Sequence, residues 1–155
     1  MKIRKARPED YRKIANLRKK TFEKINGKTH TKEQVEEMNR LTPPKAILEK
    51  MKQREMFCLV EGNKILGVVD LEGNKIGGLF VQHNKIRKGN GTILMNFIED
   101  YAKRKGLKKV KLYSTKYAFP FYAQKGYRLV KKGKWKSGKV SFTTYEMEKK
   151  LKCCQ

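Results

Sequence analysis

Acidic residues are scarce in this chain. Fifteen Asp and Glu stand against 39 Lys and Arg, a formal net charge of +24 over 155 residues. With no surplus of carboxylates, the surface offers little to a strongly basic peptide and draws instead nucleic acids, acidic lipids or anionic small molecules. The cations are spread along the whole chain, so the charge alone selects none of these ligands. Cysteine is rarer still. Cys58 lies in an apolar run and reads as a small core residue, and Cys153 and Cys154 sit at the tail beside Lys152. That spacing supplies neither a disulfide framework nor a zinc site, and no metal is expected. Long hydrophobic runs are also missing. Nothing approaches the roughly 18 apolar residues of a membrane-spanning helix. Met1-Lys2-Ile3-Arg4-Lys5 runs into Pro8-Glu9-Asp10 rather than an apolar secretory segment. No membrane partner is expected, and the cytoplasm is the expected compartment.

What is present suits one packed α/β domain. Hydrophobic residues make up 38% of the chain and aromatics 10%, in recurrent segments that argue against disorder. The length fits a single domain over residues 1–150, with 151–155 a short basic, cysteine-containing tail. A strand over 2–6 precedes a helix from Pro8, whose apolar stripe is Ile14, Leu17, Phe22 and Ile25. Thr31-Lys32-Glu33-Gln34 has the spacing of a capping box, with Val35, Met38 and Leu41 turned inward. Pro43-Pro44 separates this helix from another over 45–53. Strands follow at 56–61 and 64–71, the second apolar enough for burial on both faces. A shorter strand through Ile76, Leu79, Phe80 and Val81 is interrupted by Gly77-Gly78. Later come a strand at 109–115, a short helix at 118–124, and strands at 127–133 and 139–148.

The most informative segment is His83-Asn84-Lys85-Ile86-Arg87-Lys88-Gly89-Asn90-Gly91-Thr92, a basic, glycine-bearing loop that opens into a helix whose apolar face is read as 93, 94, 97, 98 and 101. A strand feeding such a turn can aim several free backbone N–H groups into one concavity, and the helix terminus adds positive potential. Glycine lets the backbone approach a diphosphate, with Arg87 and Lys88 neutralising charge at the rim. It is not a Walker loop, lacking the Gly-Lys-Ser/Thr ending, nor a dinucleotide fingerprint, lacking the third glycine.

Gly89, Asn90, Gly91 and Thr92 resemble the pyrophosphate loop of the GNAT-type (GCN5-related) N-acetyltransferases, with Ile86 where the family usually has Gln or Arg. The neighbouring Arg87 is the candidate to take that role. A second match, in the right order, is Thr115-Lys116-Tyr117-Ala118-Phe119-Pro120-Phe121-Tyr122, followed by Gly126-Tyr127. Here Thr115 replaces the customary Asn, and Ala118, Phe121 and Tyr122 keep the pattern. The resemblance implies a single-domain acyl-CoA N-acyltransferase fold, a central mixed twisted sheet of six or seven strands flanked by helices. It looks closest to small bacterial or archaeal members. It further implies acetyl-CoA as cosubstrate, held by Leu79, Phe80 and Val81 along a splayed strand, by the loop from Arg87 to Thr92, and by Thr115, Ala118 and Phe121.

The resemblance also places Tyr122 near the coenzyme sulfur, where its phenol can donate to the leaving thiolate. A carboxylate near the turn into the splayed strand can draw and deprotonate the acceptor amine. Asp70 is the candidate and Glu72 the weaker one. His83 reads as structural or solvated. Phe22, His30, Met38 and Trp135 border the acceptor side, with Trp135 either stacking on the acceptor or capping the sheet edge. The acceptor is a primary amine on a small molecule or peptide, and the protein a monomer or homodimer. Two other readings stay open: a nucleic-acid-binding α/β module using its distributed cations with Tyr113, Tyr117 or Trp135, and a catalytically silent acyl-CoA sensor, suggested by Ile86 and Thr115.

Overall fold

Alternation decides which sheet face each residue of the central strands serves. In β2 (Glu55–Glu61), Met56, Cys58 and Val60 join one hydrophobic cluster while Phe57 and Leu59 join another on the opposite face. β3 (Lys64–Glu72) divides likewise, sending Val68 to the first cluster and Val69 and Leu71 to the second. A strand covered on both faces is nearly continuously apolar, and residues 65–71 are buried without a break, Asp70 being the one charged residue among them. Gly62, left-handed at φ 60°, makes the turn between the two strands.

The computed structural model describes residues 1–85 and 89–152. β1 (Lys2–Lys5), β2, β3, β4 (Lys75–Val81), β5 (Lys109–Ser114), β6 (Arg128–Ser137) and β7 (Val140–Lys150) form one mixed sheet of seven strands in the order β1-β2-β3-β4-β5-β7-β6. Every neighbouring pair is antiparallel except β4 and β5. That parallel pair needs a crossover, and α4 (Asn90–Arg104) supplies it. α1 (Tyr11–Lys24) and α3 (Pro44–Gln53) cover the first face with Ile14, Leu17 and Ile47. α4 covers the second with Leu94, Met95, Ile98 and Ala102, and α5 (Phe119–Gln124) adds Tyr122. Helices on both faces of one mixed sheet are the architecture expected from the sequence.

Three local expectations are revised. α4 starts at Asn90, and its buried stripe is 94, 95, 98, 99 and 102, with Ile93 exposed. β4 is continuous through Gly77-Gly78, because an extra residue is absorbed as a bulge. α2 (Lys32–Leu41) has the anticipated capping box, Gln34 N–H donating to Thr31 Oγ1 at 3.1 Å and Thr31 N–H to Gln34 Oε1 at 2.8 Å. Yet it buries no residue fully, and Leu41 is exposed. Polar bonds hold α2 to the last hairpin instead: Gln34 Nε2 donates to Ser141 O at 2.7 Å and Ser137 Oγ to Glu37 at 3.0 Å. Cys58 is fully buried, as expected, and burial pushes its thiol up to about 12. No helix among the described residues is long and apolar enough to cross a membrane.

One partly buried ion pair fastens β1 to the start of α1. Arg4 donates two parallel hydrogen bonds to the Asp10 carboxylate, at 2.8 and 3.1 Å, and the Arg7 backbone N–H adds a third at 2.8 Å. The Arg4 bond, opposed by burial, holds the Asp10 carboxyl below its usual range. A depressed carboxyl pKa stabilises the fold above the unfolded value and ceases to do so as pH falls through the folded one. We expect Asp10→Asn to cost about 1–3 kcal/mol at pH 7. In urea unfolding the wild type should lose that advantage over the variant below about pH 4. An unchanged gap at pH 3 would contradict this account.

Candidate active site

The site begins where two strands part. β4 and β5 share a single register pair, Lys75 with Lys111, supported by Lys111 N–H donating to Asn74 O at 2.9 Å. Beyond it β4 has no β5 partner, and the backbone groups on that edge are unclaimed by a ladder. A cavity of about 750 Å³ occupies the gap. Leu79, Phe80 and Val81 line it from β4, together with Gly77 and Gly78. Val81 O accepts a hydrogen bond from Thr21 Oγ1 at 2.9 Å, tying α1 to this edge.

The glycine turn closes one end. Gly89 is left-handed at φ 85° and precedes α4, a conformation that favours glycine. The first helical bond runs from Ile93 N–H to Gly89 O at 3.0 Å, so the N–H groups of Asn90, Gly91 and Thr92 lack helical acceptors. No acidic residue occupies this first turn. Gly89, Gly91 and Thr92 line the cavity, whereas the Asn90 side chain is buried and does not. Gly91 lets the helix start lie on α5: a Cβ there would stand 3.3 Å from Phe121 Cζ. Ile86, Arg87 and Lys88 lie outside the described residues.

The opposite wall is α5. Thr115 organises its start, Oγ1 accepting from Ala118 N–H at 3.2 Å and the carbonyl from Phe119 N–H at 3.1 Å. Thr115, Ala118, Phe121 and Tyr122 all line the cavity. Tyr122 is nearly enclosed, packed edge-on against Phe121 and Tyr127 at 5.2 and 5.9 Å between ring centres. Its hydroxyl makes no hydrogen bond with the described residues, and burial raises its pKa well above the ordinary phenol value. Tyr127 differs: its hydroxyl donates to Glu99 Oε2 at 2.8 Å, and Lys149 pairs with Glu99 Oε1 at 2.8 Å, so the tyrosine fastens α4 to the segment entering β6 and the lysine fastens it to β7.

Asp70 faces the other way. It is 1% exposed, pairs across the sheet with Gly77, and is not among the cavity-lining residues. Arg54 Nη1 lies 3.5 Å from Oδ2, and Oδ1 has no hydrogen-bond partner among the described residues. Burial raises the Asp70 pKa against the pull of Arg54, Arg18 and Lys50. Glu72 is more open and lies 3.7 Å from both Arg54 Nε and Lys75 Nζ. The carboxylate is crossed by β4 at its bulge, where Gly78 is left-handed at φ 55° and a Cβ would collide with Asp70 Oδ2. The bulge therefore needs glycine twice over, for its backbone and for its neighbour.

On the acceptor side, aromatic rings run in a row: Phe22 to His30 at 5.2 Å, His30 to Phe142 at 6.4 Å, and Phe142 to Trp135, stacked at 4.4 Å. Trp135 thus packs on its own hairpin. His30 Nδ1 lies 2.9 Å from Asn26 O, and the neighbouring Ile25 and Asn26 line the cavity. Met38 is half-buried, and His83 is exposed beside a separate opening of about 490 Å³. No group of residues suited to a metal occurs among the described residues. Sequence reasoning passed over Arg18, Lys50, Arg54 and the Gly78 bulge. The signal for Arg18 was available, since it sits four residues after Ile14 on the buried stripe of α1.

Residues 26–149 match the acetyltransferase (GNAT) domain family, and the chain belongs to it. Among solved structures, a GCN5-related N-acetyltransferase from Rhodopseudomonas palustris superposes with a TM-score of 0.92 at 19% identity, over 97% of this chain and 95% of that one. The PaiA N-acetyltransferase from Thermoplasma acidophilum, solved in complex with coenzyme A, gives 0.80 at 20% identity, over 96% and 98%. A GNAT family acetyltransferase from Elizabethkingia anophelis with acetyl-CoA bound gives 0.58 at 16%, over 69% and 82%. No curated protein matches the sequence.

The bulge supplies a stability test independent of activity. Gly78→Ala should cost about 2–4 kcal/mol, combining left-handed strain with displacement of a buried carboxylate. Gly27→Ala, with nothing within 4 Å of the added carbon, should stay within about 0.5 kcal/mol. Urea denaturation of the two variants distinguishes them, and equal midpoints would refute the described packing.

Proposed function

We propose that the protein transfers the acetyl group of acetyl-CoA to a primary amine of a small molecule or peptide by direct attack. The observation that carries this reading is the convergence on one cavity of an unpaired strand edge, an open helix start and an unbonded phenol. The coenzyme-bound neighbours support the choice of donor. The cosubstrate supplies an activated thioester; the chain's own residues bind, orient and stabilise.

The N–H groups of Asn90, Gly91 and Thr92 receive the diphosphate, helped by the positive end of α4. The unpaired edge of β4, from Leu79 to Val81, receives the amide-containing arm in the manner of an added strand. Thr115 keeps a hydroxyl proton to donate after its oxygen has accepted from Ala118. As the new N–C bond forms and the C–S bond breaks, Tyr122 donates a hydrogen bond to the departing thiolate, and the proton lost by the nitrogen passes to water. Its raised pKa decides the kind of help it gives. A phenol less acidic than usual stabilises a thiolate by hydrogen bonding better than by surrendering its proton. Asp70 enters through the charges around it rather than by contact with the amine, because it anchors Arg54 behind the bulge.

The test is acetyl-CoA-dependent screening of amines, reading free thiol and acceptor mass together. Tyr122→Phe should lower kcat by about 100-fold with coenzyme A affinity nearly unchanged. Because burial keeps the neutral phenol to higher pH, no falling limb from Tyr122 should appear below about pH 10. Coenzyme binding without thiol release for any amine would favour the silent sensor. Salt-sensitive nucleic-acid binding without coenzyme binding would overturn the assignment.

A further inference from the structure

The glycine wall of the cavity backs onto a knot of unequal charge. Arg18 from α1, Lys50 from α3, Arg54 just after it and Lys75 at the start of β4 surround Asp70 and Glu72. Four cations thus face two carboxylates. Glu72 is shared by Arg54 and Lys75, and Asp70 is taken by Arg54. Arg18 and Lys50 form no salt bridge and no side-chain hydrogen bond with the described residues. Arg18 lies directly behind the cavity wall, not among its lining residues: its guanidinium lies 4.7 Å over the Phe80 ring, and Nη1 stands 3.7 Å from the Cβ position of Gly78. Phe80 and Gly78 both line the cavity.

Desolvated cations that outnumber the carboxylates beside them cost stability, and Arg18 and Lys50 share the single Asp70 carboxylate with Arg54. Burial pushes Arg18 down to about 10 and Lys50 down to about 8, the neighbouring cations adding to both shifts and Asp70 opposing them. A ligand oxyanion would remove that cost. The coenzyme's own phosphates are not the natural occupants, because the knot lies on the α1/α3 face whereas the open start of α4 belongs to the other.

We infer that Arg18, backed by Lys50 and Arg54, binds an oxyanion carried by the acceptor, so that the substrate is a small amine bearing a carboxylate or phosphate. This rests on the acetyl-transfer reading above and narrows its acceptor. The guanidinium plane matches either oxyanion in a forked pair of hydrogen bonds. The surplus positive charge also disfavours an ammonium lacking its own anion.

The experiment compares matched acceptors in the thiol-release assay: glycine and β-alanine, their carboxamides, and O-phosphoethanolamine beside ethanolamine. The oxyanion-bearing member should have the higher kcat/KM. Arg18→Gln should lower that value about 10- to 100-fold through KM while changing the neutral partner less than about threefold. Arg18→Lys should restore part of it, and Lys50→Gln should act in the same direction. Coenzyme A affinity, unchanged in each variant, reports an intact fold. Preference for carboxylate over phosphate names the anion. Thiol release that is equal for charged and neutral partners, or lost equally for both in Arg18→Gln, overturns the inference and leaves acetyl transfer standing. If no amine is acetylated, the transfer reading fails first. Thermal stabilisation by acetate or inorganic phosphate is then compared between wild type and Arg18→Gln, and an equal shift in both overturns the anion site as well.

Discussion

The parting of β4 from β5 after one register pair governs the rest of the molecule. A parallel pair that stayed zipped would satisfy its own backbone and leave no room between its strands. Here the pairing stops at Lys75 and Lys111, and everything chemical gathers at the opening. The crossover helix that any parallel pair requires brings its open start to that gap, because α4 follows β4 after a short connection. The returning strand β5 leads directly into α5, which carries Tyr122. One topological event thus sets the anion-binding amides, the exposed strand edge and the phenol around a single space.

The two faces of the sheet then divide the labour. α4 and α5 own the face where the amides and the phenol lie, and α1 and α3 own the face where cations outnumber carboxylates. Between them stands the β4 bulge, whose glycines leave no side chain separating Asp70 from the strand backbone. The high net charge takes a more particular meaning in this setting. Most of the cations are solvated, as the exposed β6 shows, but a few are drawn into partly buried positions beside the cavity. There they alter titration and ligand choice far more than any surface lysine can.

Much of this was legible before any coordinates. The continuous apolar run of 65–69, the capping box at Thr31 and Gln34, the glycine turn before α4 and the Ala118 to Tyr122 segment each carry local chemistry that a sequence displays. The less visible features depended on neighbours. Leu41 looked inward-facing by periodicity, yet α2 is held by polar bonds to a hairpin more than a hundred residues away, so its apolar stripe need not be buried. Gly77-Gly78 resembled a break in a strand, because nothing local tells a bulge from an interruption. Asp70 suggested a base in contact with substrate; its burial beneath β4 and its bond to Arg54 come from β3, β4 and α3 meeting.

By itself, the sequence determined the order of strands and helices, the family, and the residues able to form a phosphate-facing turn, because periodicity, glycine conformation and helix capping act over a few residues. Tertiary structure alone decided where β4 and β5 separate, which way Asp70 faces, and that Arg18 and Lys50 share one corner without a salt bridge of their own among the described residues. Those outcomes depend on electrostatics and packing between segments far apart in the chain, whose distances no local pattern encodes.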